Sequence, residues 1–406
     1  MGDLAFCQLW ERDIGHETTE FGYVLSRAQS AYVDPRNSQF LYEPSRHVRE
    51  TIREAAEAFR PDAIFFGTNS FWNMKDQKGA TLGYFDETLR DLRIPMMSLD
   101  VYEDPRHVST PWRPDTLHFG SVPPYVWSIR MMSSEANIDA GNVKHFRMEE
   151  AMDPEVLAPD PALFQRLGIA DAPHHVLFPV SVDRFVAIRE IYYDYHAYLA
   201  RVFGGLAADG IHLVVASPSP VPEFESLPNV SQIGFVSFPD FIRLILRCGT
   251  FLTDSIISSI IHPIHTSTPA LAMVNTHESL ETLPRHSQEL LRVGWLHEER
   301  GWSWDPMRSP VNQFYLAERL LPSMVFPFGM SETVQAVARR FEAEGTFLMA
   351  EMFDFDALQA RIVEVATDPQ VRAGLIARCD HWRKMREKFP RPREVFEDIL
   401  RQPLLY

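Results

Sequence analysis

The sequence predicts an α/β protein made of two successive wound halves, and three observations carry that expectation. Short apolar runs alternate with amphipathic stretches, the pattern of parallel strands covered by helices on both faces. A proline-containing interval, with Pro154, Pro159, Pro161 and Pro173, interrupts the pattern near the middle. The segment Thr250–Val274 then repeats the unit in full: a strand at Thr250–Thr253, a polar turn, a helix opening at Ser258 and Ser259, and a strand from Ala270.

Taken in order, Leu4–Trp10 reads as the first strand, Glu11–Glu17 as a polar loop, and Thr18–Ser30 as a helix. Gln39–Tyr42 is a weak strand, Arg46–Phe59 an amphipathic helix, and Ala63–Gly67 a strand ending in the loop Thr68–Lys78. Phe85–Leu92 reads as helical, Pro95–Val101 and Val143–Met148 as strands, with a proline-rich interval between them. The second half gives strands at His175–Val180, Ile211–Ala216 and Val230–Ile233, with helices at Ile188–Leu206 and Pro239–Arg247. Beyond Thr250–Val274 come an aromatic insertion at Gly294–Met330 and helices at Glu332–Glu344 and Asp356–Ala366. One or two terminal helices follow in Val371–Leu405. The expected domains are 1–155, a linker at 156–173, 174–375, and terminal helices at 376–406 that cross back towards the first domain.

A chain of 406 residues suits two cores. A net charge of −16 argues against nucleic acid as partner, because phosphate binding needs clustered cations. Cys7, Cys248 and Cys379 are odd in number and far apart, which implies no disulfide framework and a reducing cytoplasm. The start MGDLAFCQLWERD lacks the pattern of a signal peptide, and no apolar run is long enough to span a membrane. Of 39 basic residues five are lysine, leaving 34 arginines, a bias that points to GC-rich bacterial coding.

Several catalytic signatures are absent, among them G-x-G-x-x-G, the Walker A loop, G-x-S-x-G and H-E-x-x-H. His262 and His265 share a helix face and, with His277, suggest a metal cluster, but a core pair is the commoner case and the expectation is no metal. Asp354 and Asp356 read as a D-x-D motif or as ordinary helix capping. A helix start delivered by a strand attracts anions through its unpaired N–H groups, so Ser258 and Ser259 read either as ligands or as caps. The basic stretch Arg378–Arg393 reads as a lipid- or carrier-facing helix or as a solvated and paired terminal helix.

The arrangement resembles the glycosyltransferase-B superfamily, an α/β architecture of two Rossmann-like domains facing a cleft. The residues that carry the resemblance run in order along the chain. Gly15-His16 looks like the Gly-His opening the first helix, and the linker's Leu167-Gly168-Ile169 like the passage into the donor domain. Gln232-Ile233-Gly234-Phe235-Val236 is similar to the loop that reads the nucleotide base, and Asp254–Ser259 stands in place of the Gly-rich phosphate turn. Thr268-Pro269-Ala270 is similar to a Gly-x-Pro, and Asn312-Gln313 to the Asp-Gln that holds donor-sugar hydroxyls.

The resemblance implies a glycosyltransferase, expected to be metal-independent and inverting, and the GC-rich coding bias fits one of bacterial secondary metabolism. Its co-substrate is a nucleotide-sugar such as a UDP-sugar, and it has no other cofactor. His16 is the expected base, oriented by Glu20 or Glu17, the alternative being a capping or solvated loop histidine. Asn69, Ser70 and Trp72 are expected at the acceptor, a small molecule or a carrier-linked group, or else belong to an ordinary surface loop. Ser181, Gly234, Phe235, Val236, Asp254, Ser255, Ser258, Ser259, Asn312 and Gln313 are expected at the donor. A homodimer is compatible with this reading, as are two rivals: an epimerase or pseudo-glycosyltransferase of the same fold, and a degenerate partner protein.

Overall fold

A computed structural model of the chain describes residues 2–25, 27–30, 32–42, 48–67, 87–100, 108–110, 113–119, 125–131, 141–148, 158–180, 195–217, 219–234, 236–254, 260–274, 283–290 and 345–405. They fall into two compact units, one formed by 1–153 with 382–406 and the other by 154–381.

The first unit opens with helix α1 (Gly2–Ile14), where the sequence suggests a strand and a loop. Phe6, Leu9, Trp10, Asp13 and Ile14 are all buried, and their spacing of three and four residues is helical. Gly15 ends the helix in the left-handed conformation, φ +82°, its N–H bonded to the Glu11 carbonyl at 2.8 Å. Strand β1 (Gly22–Leu25) and a helical turn α2 (Arg27–Ser30) follow in place of the expected helix. β1 pairs in parallel with β2 (Ser38–Leu41), and helix α3 (Val48–Phe59) comes next, as read from sequence.

Among the described residues a parallel sheet of order β3-β4-β7-β8 forms the centre of this unit, from β3 (Ile64–Phe66), β4 (Met96–Asp100), β7 (Trp127–Arg130) and β8 (Val143–His145). β5 (Val108–Thr110) and β6 (Arg113–Phe119) form a separate antiparallel pair within the stretch that resisted sequence reading. Ile52 of α3 and Leu89 pack with Phe66 and Met96, while Trp10 of α1 stacks on Phe65 at 4.7 Å.

The second unit is a parallel sheet, six strands among the described residues. β9 (His174–Pro179), β10 (Ile211–Ala216), β11 (Val230–Ile233), β12 (Phe251–Thr253), β13 (Ala270–Val274) and β14 (Leu348–Glu351) lie in the order β11-β10-β9-β12-β13-β14. Counted from β9 this is 3-2-1-4-5-6, the doubly wound order. β10 and β12 are buried along their whole length, which fits sequences that are apolar at every position but His212 and Thr253. β14, a half-buried strand paired with β13, has no counterpart in the sequence reading.

The helices here are α4 (Leu163–Leu167), α5 (Tyr195–Gly205), α6 (Phe238–Cys248), α7 (Ile261–His265), α8 (Arg285–Leu290), α9 (Phe355–Thr367) and α10 (Pro369–Arg386), the last ending in the first unit; α11 (Pro392–Arg401) belongs wholly to the first. Ser237 caps α6 by accepting from the Asp240 N–H at 3.3 Å, and Gly249 closes it at φ +71°. Arg372 of α10 then donates to the Gly249 carbonyl at 2.9 Å and to Thr250 Oγ1 at 2.7 Å, which fixes the turn into β12.

Candidate functional site

In an open parallel sheet, ligands bind beyond the carboxyl ends of the strands, where the winding reverses. In the second unit that reversal lies between β9 and β12, since β9 leads to β10 on one side and β12 to β13 on the other. Asp254 follows β12 directly and is 2% exposed. Gly234 follows β11 and is exposed, and among the described residues a Cβ there would meet nothing within 4 Å, so its backbone is open to approach. Val236 is half-buried. Gln232 is occupied within the unit: its amide accepts from the Val221 N–H at 2.6 Å and donates to the Val221 carbonyl at 3.1 Å. Ser217, at the end of β10, donates through its N–H to the Ile233 carbonyl and so lies beside Gly234; strand position would have found it in the sequence. Asn69, Ser70, Trp72, Ser181, Phe235, Ser255, Ser258, Ser259, Asn312 and Gln313 lie outside the described residues, as does His277.

His16 is not where sequence reading put it. It follows a helix rather than a strand, because Gly15 terminates α1. Its Nε2 lies 2.8 Å from Glu11 Oε1, so the carboxylate beside it is Glu11 of α1, and not Glu20 or Glu17, both of which are exposed. The same Glu11 oxygen accepts from Asn37 Nδ2 at 2.8 Å, and Oε2 accepts from the Tyr23 hydroxyl. Burial, then the neighbouring Cys7 and Glu11, push the Tyr23 phenol well above the usual tyrosine range, so it stays a donor. A carboxylate only accepts, which assigns the proton of neutral His16 to Nε2 and the lone pair to Nδ1.

The other flagged residues have structural roles. His262 is 2% exposed and packs edge-to-face with Phe238 and Phe241, the ring centres 5.4 and 6.1 Å away. Burial, and secondarily His265, lowers its pKa to about 3, so it is a neutral core residue. Asp354 caps α9 through the Ala357 N–H at 3.2 Å, and Asp356 faces His286 at 3.3 Å. Among the described residues no group of three His, Cys, Asp or Glu side chains is placed to hold a metal ion.

In the basic stretch, Arg386 is fully buried, lies over Trp382 at 4.7 Å and Phe389 at 5.2 Å, and donates to the Phe146 carbonyl. Arg391 pairs with Asp13, and Arg393 pairs with Glu397 at 2.9 Å. No helix among the described residues is long and apolar enough to cross a membrane.

Two Rossmann-like α/β units, the second wound 3-2-1-4-5-6, make the glycosyltransferase-B fold, and solved structures agree. The spinosyn forosaminyltransferase SpnP matches at TM-score 0.54 and 12% identity, over 99% of this chain and 97% of that one. The glycosyltransferase SnogD from Streptomyces nogalater matches at TM-score 0.50 and 14% identity, over 97% and 92%. Identities this low speak for the fold alone. The chain belongs to DUF6365, a family of unknown function, whose match covers residues 14–403. No curated protein matches the sequence.

Proposed function

We propose that this protein is a glycosyltransferase that moves a sugar from a nucleotide-sugar donor to a small-molecule or carrier-linked acceptor, in the cytoplasm of a bacterium and in a secondary pathway. The observation that supports it most is the winding reversal between β9 and β12, because the residues expected to hold the donor follow those two strands and β11. Gly234, Phe235 and Val236 receive the base, for which the approachable backbone at Gly234 is suited. Ser181, Asp254, Ser255, Ser258 and Ser259 receive the diphosphate of a UDP- or dTDP-sugar, and Asn312 and Gln313 the sugar hydroxyls. Asn69, Ser70 and Trp72 shape the acceptor site.

The chemistry is a direct displacement without a metal. His16 Nδ1 takes the proton of the acceptor hydroxyl while that oxygen bonds to the anomeric carbon. The bond from that carbon to the diphosphate oxygen breaks, the electron pair leaves with the diphosphate, and the anomeric configuration inverts. N–H groups at a helix start and the serine hydroxyls stabilise the departing charge. Glu20, being exposed, has no part in orienting the imidazole in this scheme.

Calorimetric titration with UDP, dTDP and GDP tests the reading. Saturable heat with one of the three is expected, followed by release of that diphosphate from its sugar derivative. No heat with any of them would remove the transferase reading.

A further inference from the structure

We propose that Tyr23 and Asn37 are positioning residues for His16, acting through Glu11: they hold its carboxylate so that the imidazole keeps its proton on Nε2 and presents Nδ1 to a substrate hydroxyl. The catalytic half of this inference rests on the reading of His16 as the base; the tautomer half stands on the geometry alone.

The three donors come from three places in the chain. His16 lies in the loop after α1, Tyr23 in β1, and Asn37 in the turn leading into β2. β1 and β2 are parallel partners, Tyr23 opposite Gln39, so the separation of Tyr23 and Asn37 is set by the ladder. Glu11 sits in the last turn of α1, whose apolar face is buried against the same unit, so the acceptor is as fixed as the donors. An ionised carboxylate offers about four lone-pair sites, enough to accept from all three donors. Tyr23 cannot compete as a proton acceptor, because its hydroxyl stays protonated.

Exposure separates this arrangement from a purely structural knot. The Glu11 side chain is 10% exposed and Asn37 6%, whereas the His16 side chain is 33% exposed. The interior of the cluster is thus satisfied by Tyr23 and Asn37, and the third donor is the member turned outwards. The Phe21 ring packs edge-to-face with the imidazole, the ring centres 5.0 Å apart. The nearby carboxylate of Asp34 is engaged by Arg36 at 2.6 and 2.9 Å and does not compete for the ring.

The experiment measures the His16 tautomer by imidazole nitrogen NMR on the full chain in mildly alkaline buffer, the signal being assigned by its loss in His16→Gln. The wild type is expected to be almost wholly Nε2–H. Tyr23→Phe and Asn37→Ser, each checked for a native circular dichroism spectrum, are expected to raise the Nδ1–H share several-fold. With the donor identified by calorimetry, each should lower kcat about tenfold with KM within about twofold, a small part of the roughly 10²–10⁴-fold a general base supplies. An unchanged tautomer in both folded variants overturns the proposal, and so does a moved tautomer with unaltered kcat. If the wild type transfers no sugar, the reading of His16 as base falls while the NMR result still decides the cradle.

Discussion

Acid should weaken the second unit in large part through one side chain, and replacing that side chain should reduce the effect. His262 is buried beside Phe238 and Phe241 and has its pKa lowered to about 3, against about 6.5 for an unfolded histidine. The folded state therefore holds the neutral ring, and its contribution is fully present above about pH 6.5. As the pH falls below that value the unfolded chain gains a proton that the folded one refuses, and stability is lost down to about pH 3. From pH 7.5 the loss amounts to about 2 kcal/mol at pH 5 and about 3 kcal/mol at pH 4. His262→Leu fills a similar volume and cannot titrate. Urea melts followed by circular dichroism at pH 7.5 and pH 5 give the comparison. The wild-type midpoint should fall further than that of the variant by roughly 0.7–1 M, for an m-value in the upper part of about 1–3 kcal/mol/M. His212, whose pKa is also lowered by burial, contributes in both proteins and cancels in the difference. Equal pH dependence in the two proteins would refute the assignment of His262 as a neutral core residue.

Other perturbations follow from the same geometry. Asp13→Asn removes a charge that receives Arg391 and the Arg393 N–H, the latter at 2.9 Å. Because Arg391 is 41% exposed, the cost should be about 1–2 kcal/mol, read as a lower midpoint in scanning calorimetry and faster amide exchange at Arg393. Gly249→Ala forces a side chain into φ +71° and should destabilise the second unit by about 1–2 kcal/mol in urea melts; an unchanged midpoint would show that α6 does not need that terminator. His16→Ala should lower transfer by about 10²–10⁴-fold while leaving the heat of nucleotide binding intact, and unchanged turnover would take the residue out of the mechanism.

The second unit was the more legible in sequence because its physics is local. β10 and β11 occupy the residues read as strands: β10 is buried at every position and apolar at all but His212, and β11 is bounded by the apolar Val230 and Ile233. α6 carries its cap at Ser237 and its terminating glycine at Gly249 within the segment itself. β14 escaped because a half-buried strand has a weak pattern, and its pairing depends on where β13 lies.

The first unit was misread at its start. Leu4–Trp10 looks like a run of apolar residues, but the burial of Phe6, Leu9, Trp10, Asp13 and Ile14 shows the period of a helix, and taking the helix for a strand displaced His16 and the elements after it. Periodicity alone left Glu11 and Asp13 looking like solvated loop acids. Both are buried because their partners arrive from elsewhere: Tyr23 and Asn37 from β1 and the turn into β2, Arg391 and Arg393 from the far end of the chain. Alternation, capping and strand composition were therefore enough to name an α/β protein of two wound halves. Which carboxylate holds His16, and where the winding reverses between β9 and β12, was decided only by the tertiary structure, because a hydrogen bond between residues distant in sequence leaves no local periodicity behind.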